Sequence, residues 1–410
     1  MQKPKVVLGV SGGIAAYKAC ELLRRLTESG HDVRVVPTVS SLHFVGAATW
    51  SALSGHPVST EVWDDVHEVP HVRIGQGADL VVVAPATADT LARAAHGLAD
   101  DLLTNTLLTA RCPVVFAPAM HTEMWEHPAT RENVATLRRR GAVVIEPAVG
   151  RLTGVDTGKG RLPDPGEIFE VCRRVLSRGP ATPDLAGRHV VISAGGTREP
   201  LDPVRYLGNR SSGKQGYALA RTAVARGARV TLIEANTGLP DPAGADVLRV
   251  GTALQLREAV LKAAADADVV VMAAAVADFR PAEYAQGKIK KKDGQEPAAV
   301  ALVRNPDILA EVAGRRARPE QIVVGFAAET DNVLANGREK LRRKGCDLLV
   351  VNEVGERKTF GSEENEAVVL SADGGEIPVP HGPKEDLADT VWDQVTSRFG
   401  QISHSPLRGV

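Results

Sequence analysis

Residues that could bind an anion or transfer a proton lie in short loops that follow β-rich runs. The first of these loops is Ser11-Gly12-Gly13-Ile14, which comes directly after the run Lys5–Val10. Glycines let the backbone approach a ligand closely, and free N–H groups at a helix start attract an anion. Because the loop is not GxGxxG, its sequence alone predicts either a ligand-binding turn or an ordinary tight connection.

Two later loops in the first half carry side chains suited to an organic ligand. Thr87 and Thr90 follow an apolar run and could either cap the next helix or hydrogen-bond a cofactor. The segment Pro118–Trp125 contains two of the chain's four methionines and one of its four tryptophans. This segment indicates either a surface shaped to a ligand or ordinary packing beneath a helix.

A loop in the second half resembles a nucleotide-binding loop only formally. Gly208–Lys214 spells GxxxxGK, but Gln215 stands where a P-loop has the Ser or Thr that holds Mg²⁺. The run also lies more than ten residues beyond the strand before it. We therefore interpret it as a glycine-, serine- and arginine-rich anion cradle at a helix start, and not as a P-loop.

Charged residues follow several other predicted strands of the second half. Asp278 comes after one strand, Asn305–Ile308 opens a helix, and Lys340 and Lys344 share one helical face. The run Lys288–Lys292 is either a solvated loop, a nonspecific nucleic-acid patch or part of an anion site. Several lysines, an acidic residue and helix starts around one sheet edge suit a triphosphate with Mg²⁺.

The elements that must position these loops alternate between strand and helix in two series. The first series has strands at Lys5–Val10, Asp32–Pro37, Leu80–Ala84, Pro113–Ala117 and Ala142–Ile145, with helices at Ile14–Ser29 and about Pro128–Arg140. The second has strands at His189–Ser193, Arg229–Ile233, Asp268–Met272, Gln321–Phe326 and Asp347–Val351, helices at about Lys214–Arg226, Thr252–Ala265, Pro306–Arg316 and Asn332–Lys344, and a hairpin around Asp373-Gly374-Gly375. Continuously apolar strands are typical of parallel sheets covered on both faces. The sequence therefore predicts an α/β protein with two doubly wound, Rossmann-like domains, whose ligands bind at the carboxyl ends of the strands.

Composition limits the classes of function. The formal net charge of −1 gives no global field for nucleic acid or an anionic membrane, so we expect neither as a partner. The apolar run near the start is too short for a signal peptide, and no run spans a bilayer. Four widely separated cysteines predict no disulfide framework and no zinc site, which favours a cytoplasmic protein.

The first half resembles the homo-oligomeric flavin-containing cysteine decarboxylases, on the Ser-Gly-Gly turn, the loop Pro85–Thr90 and the loop Pro118–Trp125. That resemblance implies a flavodoxin-like domain over residues 1–177. It implies FMN contacts from Ser11, Gly12, Gly13, Ile14, Ser40, Thr87, Thr90 and Met120, catalysis by His71, and substrate contacts from His121, Met124 and Arg161. The implied reaction is an oxidative decarboxylation, in which the flavin does the redox chemistry and protein groups position and protonate.

Two positions depart from the pattern of that family. His121 stands where the family loop often has an asparagine that grips the substrate carboxylate, and a histidine brings a pH-dependent charge. Thr153 stands where we would place the flap cysteine that protonates the enethiol, and a hydroxyl is a far weaker acid than a thiol. The reductive half of the reaction is therefore the step with no assigned proton donor.

The second half is similar to phosphopantothenate–cysteine ligase domains: Thr197–Arg205, Asn209–Lys214, Ala273–Phe279, Lys288–Lys291, Asn305–Ile308 and Gly325–Thr330 occur in the family's order. The resemblance implies a CTP-dependent ligase over residues 188–410. It implies catalytic roles for Arg205, Asn209 and Lys288, CTP contacts from Ala274, Asp278, Lys288, Asn305, Pro306, Asp307, Ile308, Phe326, Lys340 and Lys344, and substrate contacts from Ser211, Ser212 and Gly213.

Both domains in one chain, joined by a Pro- and Gly-containing linker over residues 178–187, resemble the bifunctional proteins of bacterial coenzyme A synthesis. This implies 4'-phosphopantothenate, L-cysteine and CTP as substrates, FMN and Mg²⁺ as cofactors, and a homo-oligomer. Flavin-domain trimers and ligase-domain dimers together would build a dodecamer. Two alternatives are a pair of dehydrogenase domains, which the lack of GxGxxG disfavours, and a flavin-binding regulatory subunit, which the retained His71 disfavours.

Overall fold

The structure is a computed structural model that describes residues 3–60, 70–152, 157–289, 299–329, 332–353 and 364–403. The chain divides into two compact units, Met1–Thr182 with Pro242–Gly244, and Pro183–Asp241 with Ala245–Val410. All four cysteines are free thiols. Within the described ranges, no helix combines the length and hydropathy needed to cross a membrane.

The first unit is built on a parallel sheet. Its described strands are β1 (Lys5–Val10), β2 (Asp32–Pro37), β3 (Leu80–Ala86), β4 (Val114–Pro118), β5 (Val143–Val144), β6 (Ala148–Arg151) and β7 (Thr157–Arg161). Its described helices are α1 (Ala16–Glu28), α2 (Ala47–Ser54), α3 (Pro70–Gly77), α4 (Ala88–His96), α5 (Leu102–Thr109), α6 (Thr122–Glu126), α7 (Pro128–Arg139) and α8 (Pro165–Arg178), with a 3₁₀ turn at Val39–His43.

The strand order of this unit is the flavodoxin-like one. The sheet runs β2-β1-β3-β4-β5 with every pair parallel, and β6 and β7 form a separate antiparallel hairpin. Successive side chains of β1 belong to two buried clusters on opposite faces of the sheet. Leu8 packs with α1 and α8, whereas Val7 packs with α4, α5 and α7. Both faces of the sheet are therefore covered.

The second unit has a larger sheet. Its described strands are β8 (His189–Gly195), β9 (Arg198–Pro200), β10 (Tyr206–Gly208), β11 (Arg229–Ala235), β12 (Ala245–Val250), β13 (Val269–Met272), β14 (Phe279–Pro281), β15 (Leu302–Arg304), β16 (Ile322–Glu329), β17 (Leu348–Glu353), β18 (Glu364–Ser371) and β19 (Glu376–Pro383). Its described helices are α9 (Lys214–Ala225), α10 (Ala253–Ala264), α11 (Ile308–Gly314), α12 (Val333–Lys344) and α13 (Lys384–Ser403).

Six parallel strands of this sheet follow the order of dinucleotide-binding folds. The sheet runs β12-β11-β8-β13-β16-β17 and ends in the antiparallel pair β18-β19. Counted along the main sheet, this is the order 3-2-1-4-5-6, with the switch of direction beside β8. Loops after β8 and β13 therefore lie at the switch point, where such folds bind ligands.

The predicted fold class is confirmed, with local corrections. The first helix begins at Ala16 and not at Ile14, because Gly13 and Ile14 belong to a turn closed by the Ala16 N–H to Gly13 carbonyl hydrogen bond of 2.9 Å. The helix predicted over Pro306–Arg316 is the shorter α11, capped by Asp307. The edge strand β12 was not predicted, because its half-exposed sequence lacks a continuous apolar run.

Candidate functional sites

Three loops meet around the glycine turn at the carboxyl edge of the first sheet. Ser11 is buried, and its Oγ donates to the Pro85 carbonyl at 2.7 Å and accepts from the Thr87 N–H at 2.9 Å. A Cβ on Gly12 would lie 2.4 Å from the Cβ of Ser40, so only glycine allows this approach. The loops after β1, β2 and β3 are thereby fixed against one another.

The glycine turn has the free donors that a bound phosphate needs. Among the described residues, no acceptor is present for the N–H groups of Gly12, Gly13 and Ile14, which lie in the turn before α1. The Ile14 side chain is 67% exposed. Unsatisfied N–H groups at a helix start favour an anion, and these residues therefore fit a nucleotide phosphate.

The two threonines after β3 form a helix cap. Thr87 precedes α4, and its Oγ1 accepts from the Thr90 N–H at 3.3 Å. The two hydroxyl oxygens are 3.1 Å apart, and Thr90 is buried. The capping alternative is therefore observed, and Thr87 is the more exposed member of the pair.

His71 lies in the first turn of α3 and has an unpartnered ring nitrogen. Its Nδ1 is buried without a hydrogen-bond partner in the described part of the chain. The Thr109 hydroxyl donates to the His71 carbonyl at 2.8 Å. A Cβ on Gly75 would lie 2.2 Å from the Thr109 Oγ1 and 2.7 Å from the Thr106 carbonyl, so α3 packs against α5 at glycine distance. A buried, unsatisfied imidazole nitrogen is suited to a ligand proton.

The β6–β7 hairpin lies against the methionine-containing loop. The Met120 N–H donates to the Gly160 carbonyl at 2.9 Å, and a Cβ on Gly160 would lie 2.2 Å from the Met120 carbonyl oxygen. A Cβ on Gly158 would be equally close to the Thr122 hydroxyl. Arg161 is exposed at the end of β7. Glycines therefore bring the hairpin onto this loop and carry Arg161 to the same region.

The remaining predicted residues of this edge differ in exposure. His121 is exposed and Met124 is 47% exposed, whereas Trp125 is 1% exposed and belongs to the core. For Trp125, ordinary packing is therefore the correct alternative. Burial lowers the pKa of Lys18, and the nearby positive charge of Arg161 lowers it further. Two cations therefore lie near each other in this unit. Thr153 lies outside the described residues.

A cleft of about 730 Å³ opens at the carboxyl edge of the second sheet. It is lined by the loop between β10 and α9, the loop after β13, the segment before α11, the end of β16 and one face of α12. Its lining residues are Asn209–Gly216, Met272–Phe279, Arg304–Leu309, Phe326–Ala328, Lys340, Arg343, Lys344, Asn352, Asn365 and Lys384. The predicted residues Asn209, Ser211, Ser212, Gly213, Ala274, Asp278, Asn305, Pro306, Asp307, Ile308, Phe326, Lys340 and Lys344 are all among them.

Positive charge dominates this cleft. Seven lining residues are basic and two are acidic, which leaves a formal charge of +5. The basic residues are Arg210, Lys214, Arg304, Lys340, Arg343, Lys344 and Lys384, and the acidic ones are Asp278 and Asp307. Such a cleft concentrates a polyanion. Within the described ranges, no three His, Cys, Asp or Glu side chains cluster in a way that could hold a metal ion.

Close backbone packing shapes the amino-terminal end of α9. A Cβ on Gly216 would lie 2.5 Å from the Cβ of Ala194, at the end of β8. Gly213 caps α9 with φ +77°, a conformation that favours glycine. Among the described residues, no acceptor is present for the N–H groups of Ser211 and Ser212. The loop therefore has the free donors of an anion cradle.

The GxxxxGK run does not occupy a P-loop position. Strand β8 ends at Gly195 and α9 begins at Lys214, with β9 and β10 between them. The Gln215 side chain donates to the Lys384 carbonyl at 3.1 Å and accepts from the Asn365 amide at 3.1 Å. Gln215, at the position where a P-loop has its Mg²⁺-binding Ser or Thr, therefore links α9 to β18 and α13.

Ion pairs hold the lysines of α12 at the cleft. Lys344 donates to Asp307, which also caps α11 by accepting from the Ala310 N–H at 3.2 Å. Burial opposes ionisation of Asp307, but the hydrogen bonds from Lys344 and the Ala310 N–H, together with the positive charges of Lys344 and Arg343, outweigh it and hold the pKa of the carboxyl below its ordinary value. Lys340 donates to Glu329 at 3.1 Å. The cations are therefore oriented before any ligand binds.

Two predicted catalytic residues do not line the cleft. Lys288 is exposed, and Arg205 pairs with the buried Asp202 and with the carbonyl of Ile289. Asn209, by contrast, lines the cleft and donates from its amide to the Val276 carbonyl at 3.0 Å. Lys290, Lys291, Lys292 and Thr330 lie outside the described residues.

Five polar lining residues were missed by sequence reasoning: Arg304, Arg343, Asn352, Asn365 and Lys384. Asn365 and Lys384 are 7% and 5% exposed, so both are buried polar side chains at the cleft. They lie 150 and 169 residues after Gln215, the α9 residue that they contact, so no local sequence pattern connects them to it. Of these residues, only Asn352 directly follows a predicted apolar strand, that of β17, which is the pattern that predicted the other loops.

Two family models match the chain. One, described as "DNA/pantothenate metabolism flavoprotein C-terminal domain", matches residues 185–399, and one described as "Flavoprotein" matches residues 1–177. The "Coenzyme A biosynthesis bifunctional protein CoaBC" of Mycolicibacterium smegmatis is 62% identical over 405 residues, which cover 96% of this chain and 98% of that protein. The protein of the same name from Bacillus subtilis is 42% identical over 396 residues, 96% of each chain.

Solved structures match each half separately. The crystal structure of a C-terminal domain of a bifunctional protein CoaBC is 33% identical and covers 54% of this chain and 100% of that chain, with a TM-score of 0.46. The FMN-dependent cysteine decarboxylase SpaF is 34% identical and covers 42% of this chain and 97% of that chain, with a TM-score of 0.37.

Proposed function

The chain belongs to the family of bifunctional coenzyme A biosynthesis proteins, enzymes with a flavoprotein decarboxylase and a ligase activity, and we propose that it makes 4'-phosphopantetheine from 4'-phosphopantothenate and L-cysteine in two steps. In the first step, residues 188–410 use CTP to join cysteine to phosphopantothenate. In the second, residues 1–177 use FMN to decarboxylate the phosphopantothenoylcysteine. Residues 178–187 link the two domains.

The cationic cleft is the observation that carries the ligase proposal. A carboxylate is a poor acyl donor, so the phosphopantothenate carboxylate first attacks the α-phosphate of CTP and expels pyrophosphate. The cysteine amine then attacks the acyl-cytidylate, and CMP leaves. Donors near the developing negative charge lower both barriers, and the Asn209 amide with the free N–H groups of Ser211 and Ser212 fits that role.

The CTP contacts fall to the side of the cleft formed by β13, α11, β16 and α12. Lys340 and Lys344 would pair with the triphosphate, while Phe326 would contact its apolar portion. Asp278, an exposed carboxylate of the lining, would hold Mg²⁺ together with the triphosphate, whereas both oxygens of Asp307 already accept from Lys344 and the Ala310 N–H. The Mg²⁺ would neutralise charge on the departing pyrophosphate. Ala274, Asn305, Pro306 and Ile308 shape the wall between these groups.

The decarboxylase proposal rests on the glycine turn and His71. Bound FMN would supply the two-electron chemistry that turns the cysteine carboxylate into a leaving group. The N–H groups of Gly12, Gly13 and Ile14 would bind its phosphate, with Ser40, Thr87, Thr90 and Met120 around it. His71 would hold a substrate proton at Nδ1, and His121, Met124 and Arg161 would contact the substrate.

Exposed apolar residues support a homo-oligomer. In the second unit, Val204, Tyr206, Phe279, Leu302 and Val303 are all exposed on or beside the two small sheets β9–β10 and β14–β15. Clustered apolar surface on a protein points to an interface, and a ligase-domain dimer would cover it. Flavin-domain trimers with ligase-domain dimers would give a dodecamer. We propose a cytoplasmic enzyme without nucleic-acid or membrane partners.

Two assays test the two cofactor assignments separately. Purified protein should carry or take up FMN, seen as yellow absorbance and as FMN released on heating. With phosphopantothenate, cysteine and Mg²⁺, it should convert CTP to CMP and pyrophosphate, while ATP should be a poorer donor and EDTA should stop the reaction. A protein that refuses FMN, or one that leaves CTP intact, contradicts the corresponding half of the proposal.

A further inference from the structure

A buried carboxylate organises the loop between β9 and β10. The Asp202 side chain is fully buried, and its Oδ1 accepts from the N–H groups of Val204 and Arg205, each at 2.8 Å. Its Oδ2 accepts from the Arg205 guanidinium at 2.6 and 3.0 Å and from the Ile289 N–H at 3.1 Å. The Leu201 N–H closes the turn on the Arg205 carbonyl at 2.8 Å.

The same loop holds a segment that is more than eighty residues away in sequence. Asp202 binds the N–H of Ile289, and the Arg205 guanidinium donates to the Ile289 carbonyl at 2.6 Å. The Ala285 N–H donates to the Leu201 carbonyl at 3.0 Å, which gives a third attachment. Both peptide groups flanking Ile289 are therefore fixed, and one of them is the peptide group that follows Lys288.

The electrostatics favour a permanently charged Asp202. Burial opposes ionisation, but the hydrogen bonds from the Val204 N–H, the Arg205 guanidinium and the Ile289 N–H outweigh it and hold the pKa below the ordinary value. A carboxylate with this many donors, including a two-pronged arginine, fixes geometry more tightly than a neutral side chain could. The arginine is half-exposed and does not line the cleft.

We propose that Asp202 and Arg205 form a positioning clamp, which sets the direction from which the Lys288 side chain acts in the ligase reaction. In this account Arg205 acts by holding the Ile289 backbone, and its positive charge is paired with the Asp202 carboxylate. The inference rests on the proposed ligase function and on the role of Lys288 in its nucleotide-dependent steps. Asp202 does not line the cleft, so in this account its side chain acts on the reaction only through the position of Lys288.

A double-mutant cycle tests whether the clamp acts through Lys288. Asp202→Asn should lower the rate of CMP formation about 100-fold, as misplacement of a reacting group by about 1 Å does. Arg205→Lys keeps the charge and loses the two-pronged contact, so it should lose about as much. When either change is combined with Lys288→Gln, the loss should be no larger than that of the more severe single variant.

Asp347→Asn is the matched control. The Asp347 carboxylate accepts from the Val323 N–H at 2.7 Å and from the Arg316 guanidinium at 2.8 and 3.0 Å, so it makes the same kinds of bond away from the cleft. This variant should keep CMP formation within about threefold of wild type, and any loss it causes should multiply with that of Lys288→Gln.

Hydrogen exchange of the Ile289 amide provides a second readout that does not depend on turnover. It should accelerate at least about tenfold in Asp202→Asn and stay unchanged in Asp347→Asn. Losses that multiply with Lys288→Gln, or an Ile289 amide that exchanges as in wild type, overturn the clamp. The rate of CMP formation by the wild-type protein tests the ligase proposal separately. A wild-type protein that leaves CTP intact would contradict that proposal, whatever the hydrogen exchange of the Ile289 amide shows.

Discussion

The contact between α9 and β8 makes a quantitative prediction about Gly216→Ala. The added Cβ would lie 2.5 Å from the Cβ of Ala194, 3.1 Å from its Cα and 3.2 Å from the carbonyl oxygen of Ser193. None of these atoms can rotate away, because they belong to backbone or to an alanine. Ordinary contact begins at 3.4 Å, so the start of α9 must move by about 0.9 Å.

That displacement should reduce ligase activity much more than stability. Overpacking of a tight contact typically costs about 1–3 kcal/mol, which leaves an ordinary domain folded. A shift of about 1 Å in a group that binds reacting atoms costs about 100-fold in rate. Because the first turn of α9 and the loop before it line the cleft, we expect kcat/KM for CMP formation to fall about 100-fold.

The assay compares Gly216→Ala with Gly314→Ala, a change of the same kind in the same unit. A Cβ on Gly314 meets nothing within 4 Å, so this variant should keep wild-type activity and stability or gain slightly. Both variants should release CO₂ from supplied phosphopantothenoylcysteine at the wild-type rate. A folded Gly216→Ala protein with ligase activity within about threefold of wild type would refute the reasoning.

Three further predictions concern other parts of the chain. His71→Asn should lower CO₂ release by about 100-fold or more while CMP formation stays unchanged, because proton transfer is lost only in the first unit; equal loss of both contradicts independent sites. Lys340→Gln and Lys344→Gln should each raise KM for CTP about tenfold at low salt and less at high salt, and a salt-independent effect would exclude a direct ionic contact. Burial raises the pKa of the Cys346 thiol to about 11 from 9.0, so folding favours the neutral thiol. Its stabilising contribution is complete below pH 9 and disappears as the pH rises to about 11, at up to about 1.4 kcal/mol per pH unit; urea unfolding of wild type and Cys346→Ala should show that difference in slope, and equal slopes would contradict it.

The interior of the fold was predictable because its strands are covered on both faces. Strand β3 is buried at every position, and such a strand is a continuous apolar run in the sequence. Strand β12 is an edge strand with alternating exposure, and β14 and β15 are three residues each, so no run marks them. Their existence depends on neighbours that are distant in the chain.

The candidate sites were predictable where local sequence determines geometry. Loops at the ends of parallel strands must share an edge, so Gly213, Ala274 and Phe326 were expected to converge, and they line one cleft. Trp125 could not be assigned from its loop, because the burial of this α6 side chain depends on tertiary packing. Arg205 could not be assigned either, since its partner Ile289 is 84 residues away.

Stoichiometry of the coupled reaction tests the central claim most directly, namely that one chain carries a ligase site and a flavin site that act in sequence. The wild-type protein, supplied with phosphopantothenate, carboxyl-labelled cysteine, CTP and Mg²⁺, should release CMP, pyrophosphate and labelled CO₂ in equal amounts, with CO₂ appearing after a lag. Release of CO₂ without CMP, or of CMP with no CO₂ from a protein loaded with FMN, would contradict the account.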